Sequence, residues 1–267
     1  MFLTELPKLN SIKIGNIIHK PRGGIEKLAA QSVRLVTLED KDHPEYLGYR
    51  GSCTLVKNGT DNFIACTRHQ LGLEVGQSPD VKTLRTLRFV SQTDSDILKN
   101  IPTDNCLFVE NNEDEEYHDI LLFHVPNDHP TFLPERPNFF PLQNFSLVER
   151  QASWIVGCPT DKMLVKYEPQ SVHIVTHMFD CAFNVSFKSN AQHFKQVTYD
   201  KNKSNMDGFS GGAVFSFFDG ENGWEIVFDG IIVRAGNGVA HIVDASFILQ
   251  AAKKFKVIET VVDLRLL

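Results

Sequence analysis

Apolar positions fall in short runs rich in Val, Ile and Phe, at residues 32–38, 52–56, 63–66, 120–125, 153–156, 172–176, 213–218, 225–228 and 230–233. Most are closed off by Gly, Asn, Asp or Pro, as in "KNGTDN", "PNDHP" and "FFDGENGW". Runs of this kind predict strands, and many in succession predict an all-β sandwich or barrel. A helical period emerges over Ala245–Lys254 and more weakly over 25–31. The prolines of 126–141 each remove a backbone donor, so that stretch cannot be a central strand. It predicts an extended connection between two β units, 31–135 and 136–267, preceded by an N-terminal extension at 1–30. The acidic run at 110–116, "ENNEDEE", predicts a solvated loop or hairpin tip.

Composition narrows the class. With 267 residues, 42% hydrophobic and 22% charged, the chain can bury one large core or two small ones. A formal net charge of −6 argues against a nucleic-acid partner, because neutralising phosphates takes a surplus of Lys and Arg. No run approaches the roughly 18 apolar residues of a membrane helix, so no membrane partner is expected. The opening "MFLTELPKLNSIKIGNIIHK" lacks the basic start, apolar core and cleavage site of a secretory signal. The five cysteines, Cys53, Cys66, Cys106, Cys158 and Cys181, are scattered, odd in number and without a CxxC pair. They read as reduced thiols of a cytoplasmic protein, with a Cys53–Cys66 disulfide across neighbouring strands as the alternative.

The stretch "DGFSGGAVF" sets Ser210 between Gly208 and the pair Gly211–Gly212, directly ahead of an apolar run. A serine hydroxyl attacks a carbonyl only when a base takes its proton, and a carboxylate commonly fixes that base. His69 stands at the end of an apolar run in "NFIACTRHQLG", and Asp119 at the start of another in "YHDILLFHV". Asp119 is favoured over Asp114 and Asp128 because the strand follows it at once. His118 points the other way in an extended segment. Gly208, Ser210 and Gly212 also satisfy Gly-x-Ser-x-Gly, but that elbow needs a helix after the serine and a later acid and histidine. Here strand-like "AVFSFF" follows. His173 and His177 are spaced i, i+4 in "SVHIVTHMF", which is strand-like and holds them too far apart to chelate, so neither metal nor cofactor is expected.

The chain order His69, Asp119, Ser210 is that of chymotrypsin-like enzymes. "ACTRH" resembles the Thr-containing segment that ends in the histidine of trypsin-like peptidases, "HDILLFHV" their Asp-Ile-Ala-Leu-Leu segment, and "DGFSGGAVF" their Gly-Asp-Ser-Gly-Gly. "DGIIVRAG" is similar to the Gly-Ile-Val strand that follows the nucleophile, and "VAHIVDASFIL" to the lead into the C-terminal helix. The resemblance runs from about Val33 to Ala252.

It implies two six-stranded antiparallel β-barrels with a C-terminal helix, and a serine endopeptidase in which His69 is the base, Asp119 its orienting acid and Ser210 the nucleophile. It implies an oxyanion hole made by the N–H groups of Gly208 and Ser210, and a first specificity pocket that includes Ser204, Arg234 and Gly236. The implied partners are a protein or peptide substrate, acting on a restricted target, and an activating protein. Gln70 stands where secreted members carry a disulfide-bonded cysteine, and no Ile-Val-Gly activation site appears, which points to the intracellular, disulfide-free type. The other readings are a catalytically silent or latent peptide-binding scaffold of the same fold and an esterase of another fold. Geometry separates them: Ser210 Oγ within about 3.2 Å of a His69 nitrogen marks the enzyme, with looser contact allowed in the free state.

Overall fold

The computed structural model describes residues 12–14, 17–19, 29–39, 47–72, 79–92, 98–108, 119–127, 139–143, 150–167, 170–189, 193–202, 205–220, 223–255 and 261–263. It is mostly β, with a closed six-stranded barrel, a curled half-barrel sheet and a short C-terminal helix. The strands are β1 (Ile12–Ile14), β2 (Ile17–His19), β3 (Val33–Glu39), β4 (Leu47–Asn58), β5 (Asp61–Thr67), β6 (Leu87–Gln92), β7 (Leu98–Asn100), β8 (Asn105–Phe108), β9 (Ile120–Val125) and β10 (Phe140–Pro141). They continue as β11 (Ala152–Gly157), β12 (Leu164–Tyr167), β13 (Gln170–His173), β14 (His177–Phe183), β15 (Phe194–Tyr199), β16 (Ala213–Gly220), β17 (Gly223–Gly236), β18 (Val239–Asp244) and β19 (Val261–Asp263). Helix α1 spans Val81–Thr86 and α2 spans Ala245–Lys254.

In the second half the order β16-β11-β14-β15-β18-β17 closes on itself through the pairing of β16 with β17. The first-half sheet runs β19-β8-β9-β5-β4-β3-β6-β7 and does not close among the described residues. The chain ends cross between the halves. β1 and β2 extend the second sheet at β17, whereas β10 and β19 pair with β4 and β8 of the first. The tail of the proline-rich connection is thus a two-residue strand, Phe140↔Val56 and Pro141↔Lys57, although the sequence predicts none there.

The predicted strands become continuous apolar runs because both faces of each are covered. In β5, Phe63 and Ala65 belong to the core between the halves, and Ile64 and Cys66 to the core inside the half-barrel. In β9, Ile120 and Leu122 face one core and Leu121 and Phe123 the other. In β11, Trp154 and Val156 join the central core while Ile155 fills the closed barrel with Phe179, Phe209 and Ile232. Period-two alternation therefore sorts apolar residues between two cores instead of between core and water.

Helix α2 places Ala245, Ile248, Leu249 and Ala252 against the central core at helical spacing. Asp244 caps it, its Oδ1 accepting the Phe247 N–H at 3.1 Å. The helix expected at 25–31 lies largely outside the described residues. So do the acidic run 110–116, Asp114, His118, Asp128 and most of 1–30. No helix among the described residues is long and apolar enough to cross a membrane.

All five cysteines are free, four of them buried. Cys53 and Cys66 do lie across β4 and β5, next to the Thr54↔Ala65 pair, without a disulfide. One carboxylate of the closed barrel is buried against a partly exposed cation: Asp229, 4% exposed, accepts from Nε and Nη2 of Arg150 at 3.0 and 2.6 Å.

Candidate active site

The register Thr67↔Ile120 between β5 and β9 sets the end of one strand beside the start of the other. Two residues past Thr67, His69 lies in a 3-10 turn, Arg68–Leu71; one residue before Ile120 stands Asp119. The Asp119 carboxylate holds His69 at two points. Oδ2 lies 2.7 Å from the ring Nδ1, and Oδ1 accepts the His69 backbone N–H at 2.9 Å. A carboxylate only accepts, so the neutral ring carries its proton on Nδ1 and leaves Nε2 bare. The ring is 45% exposed and Asp119 22%. Thr67 Oγ1 lies 3.5 Å from Nε2.

Ser210 belongs to the second half, in the loop 207–212 ahead of β16. The hydrogen bonds of this loop divide its peptide groups into two kinds. The Asp207 carbonyl accepts from Thr160 N–H at 3.0 Å, and the Phe209 carbonyl from Gly212 N–H at 2.8 Å. The Phe209 N–H donates to Met206 O, and the Gly211 N–H to Ile232 O. The N–H groups of Gly208 and Ser210 have no protein acceptor among the described residues. Gly208 holds this course at φ +93°, where an added Cβ would meet the Cys158 carbonyl and lie 2.7 Å from Thr160 N. Only glycine combines that backbone angle with so close an approach.

The first half grips the same loop. Ser52 N–H donates to Ser210 O at 2.9 Å, Ser52 Oγ to Gly208 O at 2.6 Å, and Thr54 Oγ1 to Gly211 O at 2.9 Å. Gln70, next to His69, donates from Nε2 to Ser52 O and to Ser210 O, both at 2.8 Å. The structure thus joins His69 to Asp119 directly and ties Ser210 to the histidine turn through Gln70. It does not join Ser210 Oγ to the imidazole: no such hydrogen bond exists among the described residues, and the approach expected from the sequence is not made.

Of the specificity residues, Arg234 and Gly236 are exposed on β17, and Ser204 lies outside the described residues. β16 pairs with β17 only to Ala213↔Ile231, while β18 continues along it to Gly236↔Val239. Residues 233–236 therefore keep one backbone edge that no strand covers among the described residues. β16, not a helix, follows Ser210, so the Gly-x-Ser-x-Gly elbow has no counterpart. His173 ends β13 and His177 opens β14, which lie in separate sheets and not on one strand face as the sequence suggested, because residues 174–176 belong to no strand. No group of three or more His, Cys, Asp and Glu residues placed to hold a metal ion occurs among the described residues.

Ser52, Thr54 and Thr160 carry the loop yet stand out nowhere in the sequence. The one signal is polarity inside the apolar run "GSCTLV", where Ser52 and Thr54 are fully buried and need partners. No protein-family model matches the chain, and no curated protein matches it.

Proposed function

We propose that the chain is a serine endopeptidase of the trypsin-like type, its half-barrel and closed barrel corresponding to the two barrels of that architecture. The observation that carries this reading is the double hold of Asp119 on the ring and backbone of His69, at 2.7 and 2.9 Å. His69 Nε2 takes the Ser210 proton as Oγ attacks a peptide carbonyl, then delivers it to the leaving amine. Asp119 keeps the tautomer and stabilises the imidazolium. The free N–H groups of Gly208 and Ser210 receive the developing oxyanion, a donor of this kind contributing about 3 kcal/mol. The uncovered edge at 233–236 receives an extended substrate by strand addition, with Arg234 and Gly236 beside it.

The cysteines being unpaired supports a reducing compartment such as the cytoplasm. The open Ser210–His69 contact favours a second reading, a latent form that an activating protein closes or a binding scaffold without turnover. Labelling with a fluorophosphonate probe decides between them, comparing wild type with Ser210→Ala and His69→Ala. Labelling of wild type alone is the expected result. A folded wild type that stays unlabelled supports the latent or scaffold form, and labelling that survives Ser210→Ala refutes the site.

A further inference from the structure

Gln70 is 2% exposed and spends its amide on backbone atoms from three segments. Oε1 accepts the Thr67 N–H at 3.1 Å, and Nε2 donates to Ser52 O and Ser210 O at 2.8 Å each. This fixes the amide orientation, because a flip would set NH2 against an N–H and oxygen against two carbonyls. Both amide protons are used. One binds the strand that holds the nucleophile loop, and the other binds the nucleophile's own residue. Gly51, at φ +138°, leaves the room: a Cβ there would lie 2.6 Å from Gln70 Nε2 and 3.1 Å from Ser210 O.

We infer that Gln70 is a positioning residue that sets the His69 turn in register with the Ser210 loop. The inference rests on the serine-peptidase reading and assigns a role to a side chain that touches neither substrate nor reacting atoms. His69 and Gln70 share one tight turn, so a displacement of the Gln70 amide is carried to the imidazole. Ser210 O accepts from Ser52 N–H and from Gln70 Nε2, but only the second bond originates on the histidine turn. It therefore conveys the position of one reacting residue to the other across the seam between the halves. A covalent link at this place would do the same work, and the hydrogen bonds do it without a disulfide.

The test uses the full chain and the fluorophosphonate probe, with the second-order labelling rate normalised to the folded fraction. Gln70→Met keeps the length and removes all three hydrogen bonds. A misplacement of about 1 Å between reacting groups costs about 100-fold in rate, and a loss of that order is expected. Leu84→Ala, in α1 and in a core cluster that holds no residue of the 207–212 loop, is the control for lowered stability and should label at the wild-type rate once normalised. Gln70→Glu supplies a second readout that a purely structural role would not move. Its protonated form still donates one hydrogen bond, whereas its ionised form faces two carbonyl oxygens. The ratio of wild-type to Gln70→Glu labelling should therefore grow as pH rises. Should Gln70→Met fail to fold, this pH-dependent ratio decides, and a constant ratio overturns the inference. A folded Gln70→Met that labels at an undiminished rate overturns the inference and leaves the peptidase reading standing. A wild type that never labels at Ser210 leaves the latent or scaffold form and removes the inference together with the active peptidase it rests on.

Discussion

Replacing Asp119 by Asn separates orientation of the histidine from stability of the fold. The side chain keeps its shape, but its two ends stop being equivalent. The His69 backbone N–H still needs an acceptor, which fixes the Asn oxygen at the 2.9 Å position. The amide NH2 then faces Nδ1 at the 2.7 Å position. A ring that keeps its proton on Nδ1 opposes two donors and forfeits a charge-assisted hydrogen bond of about 1.5–3 kcal/mol. A ring that moves the proton to Nε2 makes a good bond to Asn but can no longer accept from Ser210. Either way the imidazolium loses its counter-charge. The expected loss is about 10⁴-fold in rate, or about 5.4 kcal/mol in barrier. Stability responds differently. The pair is 45% and 22% exposed, so solvent screening leaves it about 0–1 kcal/mol of stability. The assay is the second-order rate of fluorophosphonate labelling, read beside the thermal midpoint. A folded D119N that labels within about tenfold of wild type refutes the orienting role.

Three further outcomes are expected. Gly208→Ala should cost about 1–3 kcal/mol in a denaturant titration and abolish labelling, since the new Cβ meets the Cys158 carbonyl and Thr160 N at φ +93°. Asp229, enclosed by the barrel, has its carboxyl pushed above the ordinary 3.8 by burial, with Arg150 working the other way. The folded state therefore binds that proton more tightly than the unfolded chain, a contribution complete below 3.8 and lost as pH rises through the raised value. Wild type should gain stability relative to D229N as pH falls through that window, and a pH-independent difference in urea unfolding refutes it. Burial pushes the thiols of Cys53, Cys66 and Cys106 well up and that of Cys158 up to about 11. In native protein these four thiols should react slowly with a disulfide-exchange reagent, and a reducing agent should leave the thermal midpoint unchanged.

Strands β3, β4, β5, β9, β11, β16 and β17 were legible because their apolar runs answer to two cores. Residues 120–125 match β9 to the residue, and Ala245–Lys254 matches α2. The runs 225–228 and 230–233 prove to lie on one strand of 14 residues, since the polar Asp229 that separates them lies inside the sheet. The run 172–176 is the opposite case, straddling the end of β13 and the gap before β14. Helix α1 is six residues long, too short for a helical period to emerge. His69 and Asp119 were legible because register brings the end of one strand to the start of its neighbour. The hydrogen bonds of Ser52, Thr54 and Gln70 were not, because their partners are backbone carbonyls about 140–160 residues away, which carry no sequence identity.

Those invisible bonds explain how a site split between two halves keeps its geometry. Neither half contains it: His69 and Asp119 are fixed by the half-barrel, while Ser210 sits on a loop of the closed barrel whose carbonyls at 208, 210 and 211 are all held by the half-barrel. The chain ends reinforce the join. β1 crosses to β17, β19 crosses to β8, and Phe255 at the end of α2 packs 5.2 Å from Phe63 and 5.5 Å from His124. Rotating one half against the other would break the loop bonds in the middle. The backbone at His69 and at Ser210 is thus held on both sides of the seam.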